Sequence, residues 1–89
     1  MKGKLSINNV FSAEEKKYLL SIKLIEGVLS INDFILYNDK RVFKIVDIEL
    51  HSLNNDGSAI LKVKDLSDDL VIPWDSIKEF YFESDKVMD

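Results

Sequence analysis

Eighty-nine residues, 46% of them hydrophobic and none of them cysteine, make one domain around a single core, because a chain this short buries only about two-thirds of its unfolded surface. The lack of cysteine excludes disulfides, thiolate metal sites and a cysteine nucleophile. Sixteen acidic against twelve basic side chains leave a formal charge of −4, which disfavours RNA as a partner, since phosphate binding draws on clustered Lys and Arg.

Eleven lysines and the single Arg41 are scattered along the chain, which reads as a solvated surface rather than a basic patch. The longest apolar run is Phe34 to Tyr37, far below the ~20 residues a membrane helix needs. Polar Ser6, Asn8 and Asn9 interrupt the segment after the basic N-terminus, so no secretory h-region is expected and the expected location is cytoplasmic.

In chain order, Leu5 and Ile7 suggest a short first strand. Lys17–Glu26 needs arbitration, because Ser12-Ala13-Glu14-Glu15 has the form of a helix capping box and Gly27 could end a helix. On a helical wheel its apolar residues point almost all round, whereas as a strand Tyr18, Leu20, Ile22 and Leu24 share one face and Ser21 and Lys23 the other. The alternation predicts a strand. Phe34-Ile35-Leu36-Tyr37 and the run Arg41–Leu50 read as two further strands joined by an Asn38-Asp39-Lys40 turn, since β-branched and aromatic residues suit a pleated, half-buried surface.

Asn54-Asn55-Asp56-Gly57 is the strongest turn signal and predicts an antiparallel pairing of Arg41–Leu50 with Ser58–Lys64, whose Ala59, Leu61 and Val63 face inward. Phe43 and Ile45 share a face that Ile48 misses by one residue, so a bulge near Val46-Asp47 is expected to return Ile48 to the core. Pro73 confines Val71-Ile72 to a short or edge strand. A last strand, Lys78–Glu83, sends Phe80 and Phe82 to one face and Tyr81 to the other. Seven short strands predict an all-β fold: a small single-domain closed or partly open antiparallel β-barrel over residues 1–83, with 84–89 a frayed tail.

The stretch from Tyr18 to Leu36, followed by Phe43 to Glu49, resembles the second domain of elongation factor Tu and related translational GTPases, where a strand ends in glycine, a turn comes next, and a later strand ends in an Ile-Glu pair. The likeness covers roughly residues 5 to 64 and rests on spacing with Gly27, Asp33, Ile48 and Glu49. Ser21, Asn32 and the run Gly57-Ser58-Ala59-Ile60 depart from the glycines usual in that family. In relatives such a barrel contacts the GTPase domain, aminoacyl-tRNA or ribosomal RNA. This chain has no room for the GTPase domain and no phosphate-binding loop of the Gly-x-x-x-x-Gly-Lys-Ser/Thr kind, so GTP hydrolysis is not expected. Val71-Ile72-Pro73-Trp74-Asp75-Ser76-Ile77 also resembles the closing segment of small SH3-like barrels, among them Sm-like RNA-binding ones.

Candidate chemistry is sparse. His51 is the lone histidine, and a histidine at a strand end is usually a surface residue. Asp65, Asp68 and Asp69 form an acidic loop without the ordered spacing of a calcium site. Glu14, Glu15, Asp47 and Glu49 could serve acid-base work only if held in unlike environments. Trp74 and Tyr81 are candidate contact residues, because Trp and Tyr are enriched at interface hot spots. The sequence therefore points to a non-enzymatic, translation-factor domain 2-like barrel without a cofactor or metal, binding a protein partner through Trp74, Tyr81, Asp65, Asp68 and Asp69. The alternatives are a small acidic immunity protein that neutralises a basic toxin such as a nuclease, and an RNA- or ribosome-associated barrel.

Overall fold

The computed structural model describes residues 2–49, 57–66 and 79–84. Six strands are present among them: β1 (Gly3–Glu14), β2 (Lys17–Glu26), β3 (Phe34–Tyr37), β4 (Lys40–Ile48), β5 (Ser58–Asp65) and β6 (Glu79–Glu83). They close into a barrel in the order β1-β2-β5-β4-β3-β6, every neighbouring pair antiparallel. The fold is the all-β barrel expected, and Lys17–Glu26 is a strand throughout. The proposed Val71-Ile72 strand, and residues 85–89 of the expected tail, lie outside the described residues.

Period-two alternation builds the core. Leu20 and Ile22 of β2, Ala59, Leu61 and Val63 of β5, and Phe80 and Phe82 of β6 are buried, together with Leu5, Ile35, Val42, Phe43 and Ile45. Tyr18 and Leu24 pack against them from the ends of the same β2 face, and the Tyr18 ring meets Phe43 edge-on at 6.3 Å. The expected bulge is present: pairing between β4 and β5 shifts register between Ile45 and Asp47, so Ile48 sits opposite Leu61 and packs on the core. The Asp47 carboxylate accepts the Ile48 N–H at 2.9 Å, satisfying a donor that the bulge takes out of the ladder.

Two of the three hairpins, β1-β2 and β3-β4, have turns among the described residues; Asn54, Asn55 and Asp56 of the turn expected between β4 and β5 lie outside them. Asn38 and Asp39 both have positive φ, 51° and 64°, the requirement of the mirror-image turn that matches strand twist. The first strand is not short: it runs twelve residues. The capping-box residues lie on it and its turn, with Ser12 opposite Tyr18 and Glu14 opposite Lys17. Lys16 takes a φ of 58° to let the chain double back in two residues. Hairpin pairing with an amphipathic β2 therefore overrides a local helix-start signal.

Gly3 is needed for a different reason. A Cβ there would collide with the Glu26 carbonyl and lie 2.7 Å from the Phe82 ring, so only glycine lets β1, β2 and β6 approach at this corner.

Truncating Ile22 to Ala should cost about 2–5 kcal/mol in urea unfolding, the range of buried large-to-small changes, and Ile48→Ala less, because Ile48 is half-buried at a barrel end. A loss below ~0.5 kcal/mol for Ile22→Ala, the surface range, would contradict its place in the core. Asp39→Gly should raise stability by up to about 1 kcal/mol, since glycine enters the left-handed region freely; a fall in the unfolding midpoint would count against the assigned turn.

Candidate functional site

Outward side chains are set by the same alternation that builds the core. Lys17 of β2 stands opposite Lys64 of β5, Lys64 opposite Lys44 of β4, and Lys44 opposite Phe34 of β3. Three lysines thus form one row across three adjacent strands, at the ~4.8 Å strand spacing of a sheet. Like charges directly opposite each other are destabilising. Lys17 is relieved by Glu14, at 3.7 Å. Lys44 and Lys64 have no carboxylate partner among the described residues.

Phe34 and Leu36 also face outward, yet are only 8% and 7% exposed. The Arg41 guanidinium lies 4.1 Å from the Phe34 ring centroid and its Nε donates to Glu83 at 2.6 Å. The Phe34 ring is thereby covered by a cation fixed by its own ion pair.

Total charge misrepresents this wall. The described residues carry ten Lys or Arg and ten Asp or Glu side chains, so the −4 comes wholly from the six acidic and two basic side chains elsewhere in the chain. Three of the eleven lysines scattered in sequence are brought by strand register into a row that composition could not show.

A second feature adjoins the row. Pairing with β6 covers only Gly3 to Ser6 of β1, so among the described residues no strand pairs with the outer edge from Ile7 to Glu14. Leu5 to Ala13 carries no charge, in a chain that is 31% charged. Val10 and Phe11 on this edge are 38% and 55% exposed. Register shifts between Ile7 and Asn9 and between Ser12 and Glu14 leave Asn9–Ser12 as the regular window for a further strand.

Of the residues singled out from sequence, Tyr81 lies on β6 between Lys4 and Leu36, 48% exposed, with the Lys4 ammonium 5.8 Å from its ring. Leu36, Tyr37, Asn38, Asp39, Glu79, Phe80 and Tyr81 line an open groove of about 320 Å³. Asp65 ends β5, where its N–H donates to the Lys16 carbonyl at 2.7 Å. β5 and β6 are three strands apart around the barrel, so Asp65 and Tyr81 are not brought together. Asp68, Asp69, Trp74 and His51 lie outside the described residues.

Glu14 accepts from Lys62 Nζ at 3.4 Å. That hydrogen bond, with the charges of Lys17 and Lys62, holds its carboxyl below the usual range, which suits an ion pair rather than a proton donor at neutral pH. Asp47 is engaged by the bulge. No protein-family model matches the chain, and neither a curated protein nor a solved structure is similar to it.

A carboxyl with a lowered folded-state pKa contributes stability above its unfolded value and loses it as pH falls through the folded value. Glu14 should accordingly titrate below an unpaired glutamate in an NMR pH series, and Lys62→Met should move its midpoint upward. An unmoved midpoint would mean that the Lys62 contact is not populated in solution.

Proposed function

We propose that this chain is a non-catalytic, translation-factor domain 2-like barrel module that binds a protein partner by strand addition to the free edge of β1. The observation that carries this reading is the uncharged edge from Ile7 to Ala13, lacking a strand partner among the described residues and bearing the exposed Val10 and Phe11. An edge strand offers unpaired N–H and C=O groups, which another polypeptide satisfies with its own backbone. Natural edges are commonly guarded by charge or proline; this one has neither between Leu5 and Ala13.

Phe11 supplies the side-chain anchor, since aromatic residues dominate interface energetics. The immunity-protein reading draws its support from overall acidity, and that acidity belongs to residues outside the described barrel. It has no specific observation on the barrel to favour it.

Displayed random peptides selected against the chain test the proposal directly. Selected peptides should be extended, should perturb the backbone amides of Asn8 to Ala13 in NMR spectra, and should lose binding to Phe11→Lys. That variant should keep its unfolding midpoint within the ~0.5 kcal/mol range of surface changes. Peptides that map to the groove beside Tyr81, and bind Phe11→Lys undiminished, would overturn strand addition.

A further inference from the structure

The row Lys17-Lys64-Lys44 keeps three like charges in direct register, an arrangement that works against folding. Sixteen acidic side chains are available in the chain, yet among the described residues none is placed against Lys44 or Lys64. We infer that this row is the docking surface for an acidic polypeptide, and that the partner added at the β1 edge presents carboxylates to Lys44, Lys64 and Lys17. The inference rests on the strand-addition reading and names the chemistry of its partner.

Three observations favour a polypeptide over a nucleic acid. β1 lies directly beside β2, so a chain added at the β1 edge is two strands from Lys17, three from Lys64 and four from Lys44. Only a polypeptide completes the backbone ladder of that edge and reaches the lysines from there. Among the described residues the aromatic in line with the row offers no stacking platform for bases: Phe34 at its end is 8% exposed, with Arg41 over its ring, whereas single strands are held by aromatic stacking as well as charge. Finally, the chain's −4 opposes approach of a uniformly charged polyanion more than that of a protein with a local acidic segment.

The row runs across the strands, so it is met by a segment of the partner that leaves the β1 edge and crosses β2, β5 and β4; carboxylates on one face of such an extended segment recur roughly every 6.6 Å, within reach of lysine stems spaced at ~4.8 Å. Lysine ammonium groups act here as point charges rather than as bidentate forks. The contact therefore recognises acidity without demanding a fixed carboxylate geometry, and it serves association rate more than residence time.

Oligoglutamate and oligouridylate are the probes, titrated into the full chain by NMR at ~0.01 M ionic strength, where the Debye length is ~30 Å, and again at ~0.15 M. Oligoglutamate should give saturable shifts at Lys17, Lys44 and Lys64 that weaken with salt. The double variant Lys44→Gln/Lys64→Gln should bind it about tenfold more weakly while unfolding at the same or a higher temperature, because opposed charges have been removed. Phe11→Lys should bind oligoglutamate at least as well as the parent chain, so failure of strand addition and failure of the lysine row are read separately. Absence of saturable shifts, equal or tighter binding of oligouridylate, or a lower unfolding temperature in the double variant would each overturn the inference.

Discussion

Closure of the barrel depends on how Asp33 is held. Its side chain is 4% exposed, and one carboxylate oxygen accepts from Lys2 Nζ at 2.8 Å and from the Ser30 N–H at 2.9 Å. Its backbone carbonyl accepts the Ile45 N–H at 2.8 Å, and the neighbouring Asn32 N–H donates to the Ile45 carbonyl at 2.8 Å. One residue thus ties the segment before β1, the loop after β2 and the middle of β4. β3 starts at the next residue, so its position beside β6 is inherited from Asp33. Lys2 completes the tie by donating its own N–H to the Phe82 carbonyl at 2.8 Å. A buried carboxylate needs such partners, because desolvation without them is costly. Lys2 remains 29% exposed, which keeps the desolvation of the pair lower than that of two fully buried ions.

The lysine row across β2, β5 and β4 obeys a different electrostatic logic. Near the knot, cations and carboxylates are matched: Lys2 with Asp33, Arg41 with Glu83, Lys4 between Glu26 and Glu79. Across β2, β5 and β4 the matching stops after Glu14. Surface ion pairs contribute little individually, so their presence beside β6 is weak evidence for stability. The contrast between the two walls is more informative, since the same chain places its charges so differently on them.

Much of the fold is legible in the sequence because it is written in local alternation. Tyr18, Leu20, Ile22 and Leu24 share a face by period two, Asn38-Asp39 is a turn pair by its tolerance of positive φ, and the spacing of Ile45 and Ile48 demands a bulge. The length of β1 is not legible. Asn8, Asn9 and the Ser12-Ala13-Glu14 run carry little strand propensity, and they lie in β1 because its pairing with β2 runs on to Glu14 across a two-residue turn. The lysine row is hidden for a stronger reason. Lys17, Lys44 and Lys64 meet only through the registers of β2 with β5 and β5 with β4, and register between distant strands is a tertiary property. Asp65 and Tyr81 are visible as exposed-type residues, but their separation around the barrel comes from strand order, which propensity does not encode.

The closed barrel, and the β1 edge left without a partner among the described residues, are consequences of one length mismatch. β6 has five residues and bridges β1 and β3, while β1 has twelve; four residues of β1, Gly3 to Ser6, are used in closure. The remainder is held by β2 alone among the described strands. β2 continues beyond it into full pairing with β5 from Lys17 to Lys23, so the outer half of β1 is carried on a rigid support rather than as a loose hairpin. A strand paired on one side, with no described strand on the other, is already in the conformation that an added backbone would require, so on the proposed reading little ordering entropy would oppose binding. The same support fixes Lys17 on the strand directly behind the edge. On the proposed reading, backbone pairing at the β1 edge and the lysines of β2, β5 and β4 would serve one partner from one wall of the barrel, and β2 could not shift register to loosen either without moving Leu20 and Ile22 out of the core.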